Sequence, residues 1–265
     1  MHEIKLNLNG QAEDCILSLY LISNSYEVAP SRKRPVVIIC PGGGFNFLSF
    51  REAEPVAIKM LSYGYHAAVL YYSTEPAKFP TQLLQAMAAV NELRSNADEY
   101  NIDPDRICIM GFSAGGHVAA SLGVFWNKPY YSGLLGIDPE AIMPNALCLG
   151  YPVITSGDYA HEGSIENLEG ENNRLSLSLE KQVSDETPPC FIFHTLYDDI
   201  VPIENSILFA RALKIHGVPF ELHVFEEGPH GISLGNTEVY DYNSPNLGLP
   251  FASWADLFNS WFCRK

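Results

Sequence analysis

Six short, mainly apolar runs of the chain lack the alternation of apolar and polar residues: "VVIIC" (36–40), "HAAVLYY" (66–72), "RICIM" (106–110), "ALCLGYP" (146–152), "CFIFH" (190–194) and "FELHVF" (220–225). A strand with one face in water alternates apolar and polar residues. A run without that alternation must be covered on both faces, as in a parallel sheet layered between helices. Helix-patterned segments fall between the runs, near 52–63, 80–97, 114–125 and 204–216, with a last one near 252–263. Ahead of them, Ile4, Leu6 and Leu8, then Cys15, Leu17, Leu19 and Leu21, alternate with polar residues and read as half-exposed strands. This repetition of strand and helix predicts an α/β fold, a mostly parallel doubly wound sheet flanked by helices. The length of 265 residues, 47% of them hydrophobic, matches one domain over 1–265 with a two-sided core. Residues 155–187 and 233–250 break the rhythm and read as excursions at the carboxyl ends of strands, where α/β proteins place binding sites.

The charge balance, 16 basic against 31 acidic residues for a net −15, disfavours nucleic acid and anionic membranes as partners. The first residues lack a signal-peptide pattern, and no run reaches the roughly 18 apolar residues of a spanning helix. Six scattered cysteines form no C-x-x-C pair and read as buried reduced thiols, which predicts a cytoplasmic location. No H-E-x-x-H or clustered ligand spacing calls for a metal, and no pattern calls for a cofactor.

The chemistry concentrates in "IMGFSAGGH" (109–117), where Ser113 sits in a G-x-S-x-G pattern directly after an apolar strand and before a small-residue helix. Such a strand-to-helix turn exposes the hydroxyl, and the helix N-terminus favours a developing anion. A serine hydroxyl needs a base, and the base needs an orienting acid. "CFIFHTLYDDIVP" offers Asp198 or Asp199 just past one strand, and "ELHVFEEGPHGI" offers His230 past the next. The other histidines have plainer readings. His66, His194 and His223 lie within strands and pack there, His2, His161 and His216 look like surface positions, and His117 supports the turn from beneath. An oxyanion would take the N–H of Ala114 and further N–H groups from "VVIICPGGGFNF", whose three glycines let the backbone turn inward. That glycine loop lacks the spacings of nucleotide-binding loops.

These blocks resemble the α/β-hydrolase superfamily, and more closely its bacterial esterase/lipase branch of acetylxylan-esterase-like and other small-acyl carboxylesterases. The likeness rests on "CPGGGFNFLSFREAEPVA", "ICIMGFSAGGHVAASLG", the segment from "TPPCFIFH" to "EEGPHG", and the tryptophan-containing terminal helix. It implies the chain order serine, acid, histidine. It also implies that the acid stands ahead of a "VP" as in D-x-x-V-P, which falls on Asp198, and that Gly43 and Gly44 match the oxyanion glycines. Pro41 stands where many relatives have histidine. The short stretch before the glycine loop implies an open site without a large N-terminal cap. Phe45 and Phe47 are then the substrate-binding candidates, with Tyr72 and Trp126 as further aromatics near the site. The implied activity is a serine hydrolase of short-acyl carboxylic esters, with an acetylated sugar among the fitting substrates and no cofactor or metal. A prolyl-peptidase-like serine peptidase and a non-catalytic binding protein on the same fold are the alternatives.

Overall fold

The both-face apolar runs become neighbouring strands of one sheet. The computed structural model describes residues 1–8, 10–170 and 174–265; the part of the 155–187 excursion at 171–173 lies outside the described residues. In chain order the elements are β1 (His2–Leu6), β2 (Cys15–Tyr20), β3 (Arg34–Cys40), α1 (Glu54–Ser62), β4 (His66–Tyr71), α2 (Thr81–Ser95), α3 (Ala97–Tyr100) and β5 (Ile102–Phe112). There follow α4 (Ala114–Phe125), α5 (Pro129–Leu135), α6 (Pro139–Ile142), β6 (Ala146–Gly150), α7 (Glu162–Leu168), β7 (Cys190–Thr195), α8 (Glu204–Ile215), β8 (Phe220–Phe225) and α9 (Trp254–Phe262). The strand order is β1-β2-β4-β3-β5-β6-β7-β8. Strands β3 to β8 run parallel, while β2 pairs antiparallel with β4 and β1 antiparallel with β2.

Successive residues of a strand point to opposite faces, so a doubly covered strand feeds two cores. Val36 and Ile38 of β3 join Leu83, Met87, Val118 and Leu122 from α2 and α4. Their neighbours Val37 and Ile39 join Val56, Met60, Trp254 and Phe258 from α1 and α9 on the other face. Helix α4 has no exposed stripe at all, because the sheet covers one side and α2 presses on another. Its small residues permit that approach: a Cβ on Gly123 would fall 2.4 Å from Leu147.

Two expectations are corrected at the sheet's margins. β2 is buried at all but Ile16, because it lies inside the sheet between β1 and β4 rather than on its edge. The apolar-looking "FELHVF" becomes β8, the edge strand, where no residue is fully buried because no strand lies beyond it. The short helices α3, α5, α6 and α7 carry too few turns for an apolar period; only the prolines at the starts of α5 and α6 announce them. Five cysteines are buried free thiols, whereas Cys263 is exposed at the end of α9. No helix among the described residues is long and apolar enough to cross a membrane.

The chain lays β4 on one side of β3 and then returns to lay β5 on the other. That reversal opens a crevice at the carboxyl ends of β3 and β5, the position where open α/β sheets bind ligands.

Candidate active site

Ser113 occupies the turn between β5 and α4 with φ +52° and ψ −119°, a strained conformation for a residue with a side chain. The turn is locked by its backbone: Ser113 N donates to Gly150 O at 3.0 Å, and Val153 N donates to Ser113 O at 3.0 Å. The flanking glycines are steric necessities. A Cβ on Gly111 would lie 2.0 Å from Gly115 O, and one on Gly115 would lie 2.0 Å from Cys40 O. The G-x-S-x-G spacing thus reflects how closely the helix start packs on the ends of β3 and β5.

Ser113, His230 and Asp198 form one hydrogen-bonded chain. His230 Nε2 lies 2.8 Å from Ser113 Oγ, and His230 Nδ1 lies 2.7 Å from Asp198 Oδ2. The Asp198 side chain is fully covered, and its two oxygens are saturated. Oδ1 accepts from Ile200 N at 3.0 Å and Val201 N at 2.9 Å, and Oδ2 accepts a second imidazole, His194 Nε2, at 3.2 Å. Burial alone would raise this carboxyl, but hydrogen bonds from His194, His230 and Val201 N outweigh it and hold Asp198 well below the usual carboxylate range. Asp199 beside it is exposed. His194 packs in β7 as its sequence position predicts, and it also braces the acid: Ser206 Oγ sits 2.8 Å from its Nδ1 and Val201 O 3.0 Å from its Nε2.

His117 lies under the elbow in α4. A carbonyl can only accept, so its Nε2 donates to Leu177 O at 3.0 Å and its Nδ1 is left to accept from Ser121 Oγ at 3.3 Å. Burial pushes this imidazole down to about 4, and burial likewise lowers His66 to about 4. Both are therefore neutral in the fold at pH values where the unfolded chain, near pKa 6.5, protonates them. A depressed folded pKa contributes stability that is complete above about pH 6.5 and disappears as the pH falls toward about 4. Urea denaturation should show the unfolding free energy falling across that window. His117→Gln should remove on the order of 3 kcal/mol of that slope; an unchanged slope would refute the assignment.

The glycine loop after β3 forms the facing wall. Gly43 and Gly44 have φ of +130° and +64°, and a Cβ on Gly43 would fall 2.0 Å from Phe47 O. The N–H groups of Gly43, Gly44 and Ala114 have no acceptor among the described residues. With Pro41 in place of a histidine, other contacts hold the loop. Tyr72 Oη donates to Pro41 O at 2.5 Å, and Asn167 Nδ2 donates to Gly44 O at 2.9 Å. Glu52 is the central brace, only 3% exposed. Its Oε2 accepts from Gly42 N at 2.8 Å, and its Oε1 accepts from Tyr151 Oη at 2.6 Å. Tyr151 in turn accepts from Ser233 N at 3.1 Å, and its ring meets His230 edge-on at 5.0 Å. Burial first, then the Glu52 carboxylate, pushes the Tyr151 phenol far up, so it stays a donor. Glu52→Ala would strand the Gly42 N–H and the Tyr151 O–H in a buried place, at a cost of about 2–4 kcal/mol. Glu52→Gln keeps a carbonyl acceptor and should lose much less; equal urea midpoints for Glu52→Ala and wild type would exclude the brace.

A cavity of about 280 Å³ opens over Ser113, lined by Gly43, Gly44, His230 and Gly231, with polar walls from Asn46, Ser49, Arg51, Glu52 and His161 and an apolar rim of Phe47 and Ile200. Phe47 is 62% exposed and stands at the rim, as a substrate-contacting candidate requires. Phe45 does not. Its left-handed backbone (φ +62°) sends the ring down into the core against Tyr72 and His117, fully buried. Tyr72 is likewise buried, as a prop for Pro41. Trp126 caps the far end of α4, and a helix rising about 1.5 Å per residue carries it roughly 20 Å from Ser113. There its indole N–H donates to Glu186 O at 3.1 Å. His161, read as a surface position, is half-buried at the start of α7 and lines the cavity. Glu52, Tyr151, Arg51 and His161 carried no motif, and an acid near a helix start has an ordinary capping explanation. Among the described residues no cluster of three or more His, Cys, Asp or Glu side chains is arranged to hold a metal ion.

This strand order, with a serine elbow after β5 and the hydrogen-bonded acid and histidine after β7 and β8, defines an α/β-hydrolase. The model of the prolyl oligopeptidase family matches residues 82–245, and the chain belongs to that family. The BD-FAE model matches residues 25–137. Among solved structures, the acetyl ester-xyloside bifunctional hydrolase of Caldicellulosiruptor lactoaceticus is 36% identical with a TM-score of 0.83, covering 99% of this chain and 96% of that one. The carboxylesterase Cest-2923 of Lactobacillus plantarum WCFS1 is 28% identical with a TM-score of 0.89, covering 100% and 98%. Endo-1,4-beta-xylanase B of Butyrivibrio fibrisolvens is 41% identical over 78% of this chain and 34% of its own length. The chain spans about a third to a half of the length of the curated relatives it matches most strongly.

Proposed function

We propose that this protein is a serine carboxylesterase that removes short acyl groups, acetyl foremost, from hydroxylated alcohols such as sugars. The observation that carries the reading is the unbroken chain Asp198–His230–Ser113, at 2.7 and 2.8 Å, ending on a strained serine beneath a small polar-walled cavity. In this reading Ser113 Oγ attacks the ester carbonyl while His230 Nε2 takes its proton. The N–H groups of Gly43, Gly44 and Ala114 receive the oxyanion, often the largest single stabilising contribution to acyl transfer. The tetrahedral adduct collapses, the alcohol leaves with the proton from His230 Nε2, and an acyl-Ser113 remains. Water then repeats the sequence, with His230 again as base, and frees the carboxylic acid. Asp198 keeps Nδ1 protonated, so that Nε2 faces the serine with a lone pair.

The substrate class rests on the cavity and on the relatives. At about 280 Å³ the space lies just below the range of drug-sized ligand pockets, which favours a small acyl group. Its walls of Asn46, Ser49, Arg51 and His161 offer donors that a hydrocarbon alcohol would leave unpaired. Two solved relatives matched over nearly their whole chains are an acetyl ester-xyloside bifunctional hydrolase and a carboxylesterase. Peptide-bond cleavage is the second reading, favoured by the match to the prolyl oligopeptidase family. Acetyl, butyryl and octanoyl p-nitrophenyl esters, run beside a dipeptide p-nitroanilide, separate the two. A rate that is highest for acetyl is the expected result, and turnover of the anilide alone would overturn the esterase reading. The free cysteines among the described residues support a reducing compartment, the cytoplasm, as the place of action.

A further inference from the structure

The segment between β6 and β7 brings a second imidazole to the cavity, in a tautomer that the backbone dictates. His161 stands at the start of α7, and Ser164 N is shared between His161 O at 3.0 Å and His161 Nδ1 at 3.3 Å, with Ser164 Oγ 2.8 Å from Nδ1. A backbone N–H can only donate, so Nδ1 carries a lone pair and the proton of the neutral ring sits on Nε2. Nε2 has no acceptor among the described residues, and the ring lines the same cavity as Ser113 and His230. Burial, followed by the neighbouring His230, lowers the basicity of this ring.

The helix that carries it is fixed against the glycine loop. Asn167 Nδ2 donates to Gly44 O at 2.9 Å, and Lys78 Nζ donates to Glu166 O and Asn167 O, both at 2.9 Å. A Cβ on Gly44 would already lie 3.8 Å from Ser164 Oγ. The His161 N–H donor is therefore a fixed part of the wall rather than a loop side chain free to turn away.

Resting on the esterase reading, the geometry points to His161 as the specificity-determining residue for the alcohol half of the substrate, its Nε2–H donating to a hydroxyl or ring oxygen there. The chemistry of a short acyl group leaves no other acceptor. The methyl of an acetyl group has no lone pair, and the carbonyl oxygen is taken by the N–H groups of Gly43, Gly44 and Ala114. On the substrate, the oxygens left for a further donor are those of the alcohol half, the ester-link oxygen and the hydroxyls or ring oxygen beyond it. His161 does not compete with His230 as the base, because its one lone pair is held by Ser164.

The test uses two acetates of similar ring size, monoacetylated methyl xyloside and cyclohexyl acetate, and reads the ratio of their kcat/KM values. Wild type should favour the xyloside. His161→Ala should lower the ratio about tenfold, the worth of one well-placed hydrogen bond, and His161→Gln, whose amide N–H reaches a similar point, should restore it to within about threefold. Proportional loss on both acetates would assign His161 to holding α7 or to the oxyanion and overturn the proposal. An unchanged ratio in His161→Ala, or a wild type without preference for the xyloside, would overturn it while leaving the esterase reading intact. Wild type inactive on both acetates would remove the esterase reading itself, and this proposal with it.

Discussion

Ser113→Ala is expected to abolish ester hydrolysis, with kcat on p-nitrophenyl acetate falling about 10⁴- to 10⁶-fold. The loss is that large because the serine, histidine and acid act as one unit, so removing the attacking oxygen leaves only the N–H donors and binding to assist water. The same variant should no longer be labelled by a fluorophosphonate probe. Its fold should survive, since Ser113 N and O, rather than Oγ, make the bonds that lock the turn. Equal rates for Ser113→Ala and wild type would sink the proposed mechanism.

Asp198→Asn should cost about 10⁴-fold in kcat, while Asp199→Asn should leave kcat within about twofold, as surface changes away from the chemistry usually do. The asymmetry follows from what surrounds the two neighbours. Every acceptor direction of Asp198 is filled, by Ile200 N and Val201 N on one oxygen and by His194 and His230 on the other. An asparagine amide must turn its NH₂ either toward two backbone N–H groups or toward two imidazoles. The first clash uncovers buried donors, and the second reverses the tautomer of His230 and presents a proton to Ser113. Stability should fall too, by about 1–3 kcal/mol for the donors left without an acceptor. A pH-rate profile and urea unfolding of both variants would check this. Comparable losses from the two aspartates would mean that the acid had been misassigned.

Much of this protein could be read from one-dimensional pattern, and the reason is local. The runs "VVIIC", "CFIFH" and "RICIM" can be buried on both faces only within a helix-covered sheet, so strand identity and sheet type were legible. "GFSAGG" was legible because the closeness of β3, β5 and α4 excludes any Cβ at Gly111 and Gly115, and that sterics is written as glycine. His230 and the pair Asp198 and Asp199 were legible because each follows closely on a strand end, where short sequence separation from the sheet fixes its place; the choice of Asp198 between the two came from the family resemblance. Edge and interior strands were not legible, since β8 and β2 differ only in what lies beside them. Aromatic roles failed for the same kind of reason. Phe45 and Phe47 are two residues apart, yet a left-handed turn buries one and leaves the other at the rim.

The sequence by itself determined the fold class, the elbow and the candidates for the hydrogen-bonded triad, because those depend on apolar period, on glycine where a Cβ cannot fit, and on residues that follow strand ends. Only the tertiary structure decided what surrounds them: Glu52 tied to Gly42 and Tyr151, His194 sharing Asp198 with His230, and His161 carried to the cavity by α7. Tyr151 meets Glu52 and His230 meets Asp198 across long stretches of chain, each through a single hydrogen bond. No periodicity or spacing records such a pairing, because its geometry exists only once the sheet has brought the loops together.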